Sequence, residues 1–552
     1  MKNKSTLFAI YFFIAINLIA QSKSDYLDAA KKAAAWITSL EVQKYDNALC
    51  WPSASGNNYY ALGYDTGVAG IGYFFLKLYQ ATRNHDYLIK AEKAASYLDY
   101  QFQYGGWRLI DWLNGAAGYG SYYLMLYRET KNAKYLELAN SAAQYVISKS
   151  SDQGNGKYYW VNPINPPVQY TGFAHGAAGI GYFLLELYEI TNNKELLTYA
   201  AGTYNWLIQH YIRLNNDAIA WKRLTKDIDY YNHWCGGSVG IMSFLEKLHI
   251  LTGKSEYLNT YKETANGLIK NSVLVTSNTV AWPYSRTNSG RFPEVFCHGS
   301  ASATNALFSA SKLLNDSTYY NWANQGLNWL ELVKVSSISS SYYWAHISDW
   351  NQFDTGYYTG TAGIGSSFIS AYSFTRNSEH IKIAEGAARF LLSVAESVGN
   401  DKLRWINYIN ENPSYGDKEY STGWYSGAAG IGLFFVQLYE ALNTLVSNKG
   451  INEIPQKFVL NQNYPNPFNP ETTIEYTIPA NVKGETTKVT LKVYDLLGRE
   501  VATLVDEYKQ AGNYKVTFNV ETPYMASLPS GVYFYRLRAD SYSETKKLIL
   551  MK

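Results

Sequence analysis

The sequence predicts an all-α (α/α)7 toroid of seven helical hairpins, followed by a small all-β sandwich. Three observations carry that prediction. A G-x-x-G element recurs seven times, its first glycines falling at 67, 115, 176, 237, 299, 360 and 427. Each copy opens an apolar segment, then a polar turn, then an amphipathic segment. Past about residue 454 this helical patterning gives way to two-residue alternation. Repeats of this length mark supersecondary units that bury a continuous core only by stacking on one another.

At the N-terminus, Lys2 and Lys4 precede an apolar run from Leu7 to Ala20, and Ala20-Gln21-Ser22 offers small residues for cleavage. That is the layout of a Sec signal peptide, assigned to residues 1–22. The run is short for a membrane span. No later segment strings together 18 uninterrupted apolar residues. The mature chain is therefore expected outside the cell, without a transmembrane span.

The toroid is assigned to residues 25–447. Gly67-Val-Ala-Gly70-Ile-Gly72, Gly176-Ala-Ala-Gly179-Ile-Gly181 and Gly427-Ala-Ala-Gly430-Ile-Gly432 are full copies of the motif. The fifth copy, Gly299-Ser-Ala-Ser302, has serine in the second glycine's place. Segments such as Tyr73 to Leu78 are apolar nearly all round, which suits an inner helix. Segments such as Tyr135 to Ile147 and Tyr257 to Leu268 carry apolar residues at three- and four-residue steps, which suits an outer one. The glycines are expected at inner-helix N-termini, where backbones approach closely and φ is unusual. All seven loops then gather at one end of the barrel.

Residues 448–454 read as a linker and 455–552 as the sandwich, of roughly seven strands. Asn463 to Pro470 is rich in turn residues, and Val489, Leu491 and Val493 alternate with polar positions.

Composition narrows the function. Net charge is only +3 over 552 residues, with Lys and Arg scattered, so no nucleic-acid partner is expected. The 52 tyrosines and 15 tryptophans are read as aromatic surfaces and loops, or as platforms for a peptide or sugar. Three cysteines, Cys50, Cys235 and Cys297, do not make a disulfide framework. Cys50, beside Trp51, reads as a small buried hydrophobe.

Chemistry concentrates on the repeated loop. Cys235 and Cys297 each fall two residues before the first glycine of their repeat, and His298 follows directly. Two thiolates, an imidazole and one open position form a catalytic zinc set, so Zn2+ is the expected cofactor. Such a site deprotonates an entering thiol and suits thiol alkylation. His175, one residue before Gly176, titrates in the range a general acid needs. Asp111 lies four residues before Gly115, as a partner for that histidine or as a helix-cap carboxylate.

The sevenfold repeat, Ala174-His175-Gly176, Trp234-Cys235 and Cys297-His298-Gly299 together resemble the lanthionine synthetase C-like (LanC-like) family. The resemblance implies a thiolate adding to the β-carbon of a dehydroalanine or dehydrobutyrine to close a thioether in a peptide. It implies His175 as acid/base and Asp111 as its positioning carboxylate. The substrate would be a peptide already dehydrated, or a small thiol. The chain departs from the family pattern in two places near the first cysteine. Tyr231 stands where an arginine is frequent, and Gly236 where an aromatic is; His233 is a polar group close by.

The tail resembles the C-terminal sorting domain of type IX secretion cargo. Asn463-Tyr-Pro-Asn-Pro-Phe-Asn-Pro470, Val493 to Arg499, Leu528 to Tyr533 and the Lys-rich end carry that likeness. It implies delivery outside the cell by the type IX machinery. Two alternatives to the cyclase reading are a zinc-binding pseudoenzyme and a glycan-active or glycan-binding toroid. The latter draws on Asp65, Asp111 and Asp354 near the loops, and hydrolysis would need two carboxylates opposed across a pocket.

Overall fold

Fourteen helices alternate between an inner and an outer position in the computed structural model, which describes residues 22–45, 47–163, 167–337, 340–345, 352–410, 419–448, 458–479, 486–509, 512–520, 528–539 and 542–551. The expected signal peptide and linker lie outside the described residues, save for Ser22 and Asn448. The chain divides into two compact units near Leu442.

In the first unit the inner helices follow the glycine motifs. They are α2 (Val68–Thr82), α4 (Ala116–Thr130), α6 (Ala177–Thr191), α8 (Ser238–Thr252), α10 (Ser300–Leu313), α12 (Thr361–Thr375) and α14 (Ala428–Asn448). The outer helices are α1 (Lys23–Thr38), α3 (His85–Gly105), α5 (Ala133–Ser148), α7 (Lys194–Leu207), α9 (Ser255–Asn271), α11 (Ser317–Val333) and α13 (Ser378–Ser393). The turn inside a hairpin repeats its chemistry. Arg83, Lys131, Asn192 and Arg376 end inner helices in the left-handed region. The asparagine after each then caps the outer helix, as Asn84 does by accepting from Asp86 N at 3.0 Å.

Inner helices contact one another through the motif's third glycine. A Cβ on Gly72 would strike Tyr122, one on Gly120 Phe183, one on Gly181 Phe244, one on Gly365 Phe434, and one on Gly432 Phe74. The last pair joins α14 back to α2 and closes the ring. Outer helix α1 belongs to the same seam, Tyr26 stacking on Phe435 of α14 at 6.4 Å. The motif's first glycines are not in an unusual φ region, contrary to expectation. Gly67 and Gly237 have φ of −118° and −133°, extended values open to any residue. Space is what they provide, since a Cβ on Gly237 would collide with the Tyr231 carbonyl.

Short β-hairpins, absent from the sequence prediction, follow six of the outer helices; Tyr211–Asn215 with Ala218–Trp221 is one. Their tryptophans turn inward. Trp282, Trp344 and Trp405 each donate Nε1–H to a carbonyl fourteen residues earlier, at 2.7–2.8 Å. These and Trp36, Trp51, Trp206 and Trp221 are fully buried, so much of the aromatic content is core and not surface platform. Cys50 is a free, buried thiol whose pKa burial pushes up, as a small core residue should be. Helix α14 is long and apolar enough at Ala428–Leu445 to cross a membrane, yet over half of that stretch is buried in the unit.

The described residues of the second unit form seven strands in two sheets. Val459–Leu460, Glu471–Ile478 and Gly512–Asn519 form one; Glu500–Lys509, Thr487–Tyr494, Gly531–Ala539 and Tyr542–Leu550 form the other. Val489, Leu491, Val493, Tyr535 and Leu537, all fully buried, pack in its core.

Candidate active site on the loop ring

Seven hydrogen bonds tie the seven loops into a closed belt. Tyr64 N donates to Leu113 O, Leu113 N to Ala174 O, Ala174 N to Cys235 O, and Cys235 N to Cys297 O. Cys297 N donates to Tyr358 O, Tyr358 N to Tyr425 O, and Tyr425 N returns to Asp65 O; the distances run from 2.7 to 3.4 Å. One residue further from each glycine stands an aromatic, in all seven copies: Tyr64, Trp112, Phe173, Trp234, Phe296, Tyr357 and Trp424. Each ring meets the next, with centroids 4.7 to 6.3 Å apart, and Trp424 closes on Tyr64 at 5.8 Å. Belt and aromatic ring fix where the residue before each glycine points its chemistry.

A cavity of about 250 Å³ opens mainly on the third, fourth and fifth loops, with Leu113 and Tyr425 at its margin, and His175, Arg223, His233, Cys235, Cys297 and His298 are among its lining. The sulfur and nitrogen atoms of Cys235, Cys297 and His298 lie within 4.8 Å of one another. His298 Nε2 is 3.5 Å from Cys297 Sγ. The repeat thus brings together the three residues expected as ligands. It does not leave them as two thiolates: Cys235 and Cys297 are joined in a disulfide, which corrects the expectation of a thiolate pair ready to bind metal. The cause is the belt. Neighbouring loops hydrogen-bonded at the cysteines hold their Cα atoms 5.7 Å apart, inside the range a disulfide spans.

On the next loop, His175 Nδ1 lies 3.2 Å from Asp111 Oδ2. Asp111 is buried, and its other oxygen accepts from Asn114 N at 2.7 Å, so the carboxylate is held in place. Burial pushes the His175 pKa down. The hydrogen bond and charge of Asp111, with Asp65 adding, outweigh it and leave the imidazole above its ordinary value, while Arg223 opposes them. His175 Nε2 is then the nitrogen available to the cavity.

Two neighbours went unassigned in the sequence prediction. His233 is buried against the rings of Tyr284 and His298, at 5.3 and 4.9 Å. Burial, then the His298 and Arg223 charges, push its pKa well below the ordinary value, so it stays neutral. Gly236 N donates to its Nδ1 at 3.3 Å. Arg223 enters from the hairpin ending at Trp221, outside any glycine motif, so no spacing in the repeat could have found it. Of Asp65, Asp111 and Asp354, none lines the cavity among the described residues; Asp111 reaches it through His175.

Residues 102–332 and 330–468 match the family described as lanthionine synthetase C-like protein, and the chain belongs to that family. Residues 462–551 match the secretion system C-terminal sorting domain, which marks the chain for secretion or the cell surface through the type IX machinery. No curated protein matches the chain. Solved structures similar to it include the GH76A α-1,6-mannanase of Salegentibacter sp. HEL1_6, at 14% identity over 76% of this chain and 100% of that one, TM-score 0.40. The GH76 α-mannanase BT2949 of Bacteroides thetaiotaomicron matches at 12% identity over 77% and 97%, TM-score 0.44. A sugar epimerase from a ruminal bacterium matches at 10% identity over 78% and 100%, TM-score 0.45.

Proposed function

We propose that this exported LanC-like protein adds thiols to dehydroamino acids in a peptide, with zinc held by Cys235, Cys297 and His298. The observation that carries the reading is the adjacency of a Cys-Cys-His donor set and an Asp111-paired His175 on one cavity. The donor set fits zinc in its reduced form, because a thiolate, not a disulfide sulfur, is the ligand. Two electrons and two protons from a thiol reductant restore it. Zinc bound there would lower the pKa of a substrate thiol and hold it as thiolate. The chain's own residues do the rest. His175, kept protonated by Asp111, delivers a proton from Nε2 to the substrate α-carbon, and His233, neutral and buried beside His298, packs the imidazole in place.

The disulfide favours a second reading, in which the chain is a non-catalytic member of the family whose Cys235–Cys297 link is structural. One experiment separates the two. The full chain is prepared with and without reductant, its zinc is measured, and addition of N-acetylcysteine to a dehydroalanine peptide is followed. Catalysis predicts about one zinc and thioether product in the reduced sample alone. A reduced sample with neither zinc nor product selects the structural reading.

A further inference from the structure

Arg223 is the one permanently charged side chain among the described residues that line the cavity. Its guanidinium lies over the Tyr231 ring, 5.1 Å from the centroid. Its stem crosses Gly236 so closely that a Cβ there would stand 2.7 Å from Arg223 Cγ. Tyr231 thus supplies a platform for the guanidinium and Gly236 the space for the stem. Arg223 is not consumed in holding the fold. Its buried Nε has no hydrogen-bond partner among the described residues, and Asp227, its ion-pair partner, is a loose 4.0 Å away. The side chain remains 39% exposed, reachable from the cavity. His175 and His233 both feel its charge.

We infer that Arg223 is the anion-holding residue of this cavity, and that it grips the carbonyl oxygen of the dehydroamino acid as that oxygen becomes an enolate. The inference rests on the thiol-addition reading for its substrate and on the cradle alone for its anion site. In the step itself, a sulfur lone pair forms the S–Cβ bond, the Cα=Cβ π pair moves to the Cα–C bond, and the carbonyl π pair moves to oxygen. The oxygen's negative charge falls opposite the guanidinium. Its electrons return as His175 gives a proton to Cα, so the net change is addition of S–H across the double bond. A fixed donor placed where charge develops lowers the barrier without reorganising at the moment of reaction. The Tyr231 ring holds the guanidinium by a cation–π contact, while the planar fork offers a carbonyl oxygen two parallel donors that a lysine ammonium cannot copy.

The test has two arms. In the first, N-acetylglycinate, whose carboxylate stands in for the enolate oxygen, is titrated calorimetrically into the oxidised, zinc-free full chain. Arg223→Gln is expected to weaken binding roughly tenfold or more, the loss of one charge-assisted contact. In the second arm, reduced and zinc-loaded, Arg223→Gln is expected to lower kcat by about 10²–10³-fold with zinc content unchanged. Arg223→Lys should recover part of the loss. Gly236→Ala, which pushes the stem aside, should act in the same direction and add little on top of Arg223→Gln. Equal binding of the carboxylate by wild type and Arg223→Gln, or no binding by wild type, overturns the inference. Binding lost in Arg223→Gln while wild type shows no addition keeps the anion site and sinks the thiol-addition reading instead.

Discussion

In the proposed reaction His175 serves as an acid only if it holds a proton at working pH, and Asp111 is the neighbour that raises its proton affinity most. Removing the carboxylate in Asp111→Asn leaves burial, the largest influence, and the Arg223 charge, both of which favour the neutral ring, with only the Asp65 charge opposing them. The His175 midpoint should then drop from above the ordinary value of about 6.5 to below it. The alkaline limb of the addition rate should move to lower pH with it. An NMR titration of the ring checks the first and a pH–rate profile the second; an unmoved midpoint would mean that the pair does not set the proton affinity. Ligand and acid roles separate in the same way. Cys235→Ala or Cys297→Ala should abolish zinc binding in the reduced protein, and His298→Ala should weaken it strongly. His175→Ala should retain zinc and lose roughly 10²–10⁴-fold in rate. Full zinc in Cys235→Ala, or none in His175→Ala, would reverse the assignments. That the cysteines, His298, His175 and Asp111 share one ring of loops was legible in the sequence, because the repeat indexes them. The disulfide was not, since it depends on how close two loops come. Arg223 was not, since it reaches the cavity from a hairpin the repeat does not mark.

At the scale of elements, the belt makes each loop's geometry depend on its neighbour. Gly179 shows the consequence. A Cβ there would collide with the Phe173 carbonyl, two residues before His175. Gly179→Ala must therefore move the loop or tilt α6, and is expected to destabilise the protein by about 1–3 kcal/mol, the range for overpacking. It should also slow thiol addition while leaving the Cys-Cys-His set able to bind zinc. A denaturant titration beside the zinc and rate measurements checks this; an unchanged midpoint would show that the close approach costs nothing. Helix pairs and their order were readable from the glycine spacing and the shift from all-round to one-sided apolarity. The seven aromatics three residues before each first glycine were equally present in the sequence, but only their mutual contacts reveal them as a ring. The β-hairpins escaped because strands of two to five residues carry too little alternation to register.

The whole molecule joins a ring with no free ends to a sandwich with its own core. Closure needs both ends of the helical unit, since α1 packs on α14 and Phe74 of α2 fills the space above Gly432. The seven-strand tail buries Ile474, Leu491, Tyr535 and Leu537 among its own residues. Each unit thus has a buried core of its own. Deleting residues 455–552 leaves α14 whole and should leave the helical unit folded, with the thiol-addition chemistry intact in cell extracts. The truncated protein should be absent from the cell surface and the medium, because the sorting domain has gone. Circular dichroism with a melting curve reads the first expectation, and fractionation of cells making either form reads the second. A truncated chain that aggregates or melts without cooperativity would show that the tail contributes to folding. One that still reaches the surface would show that the tail is not the address.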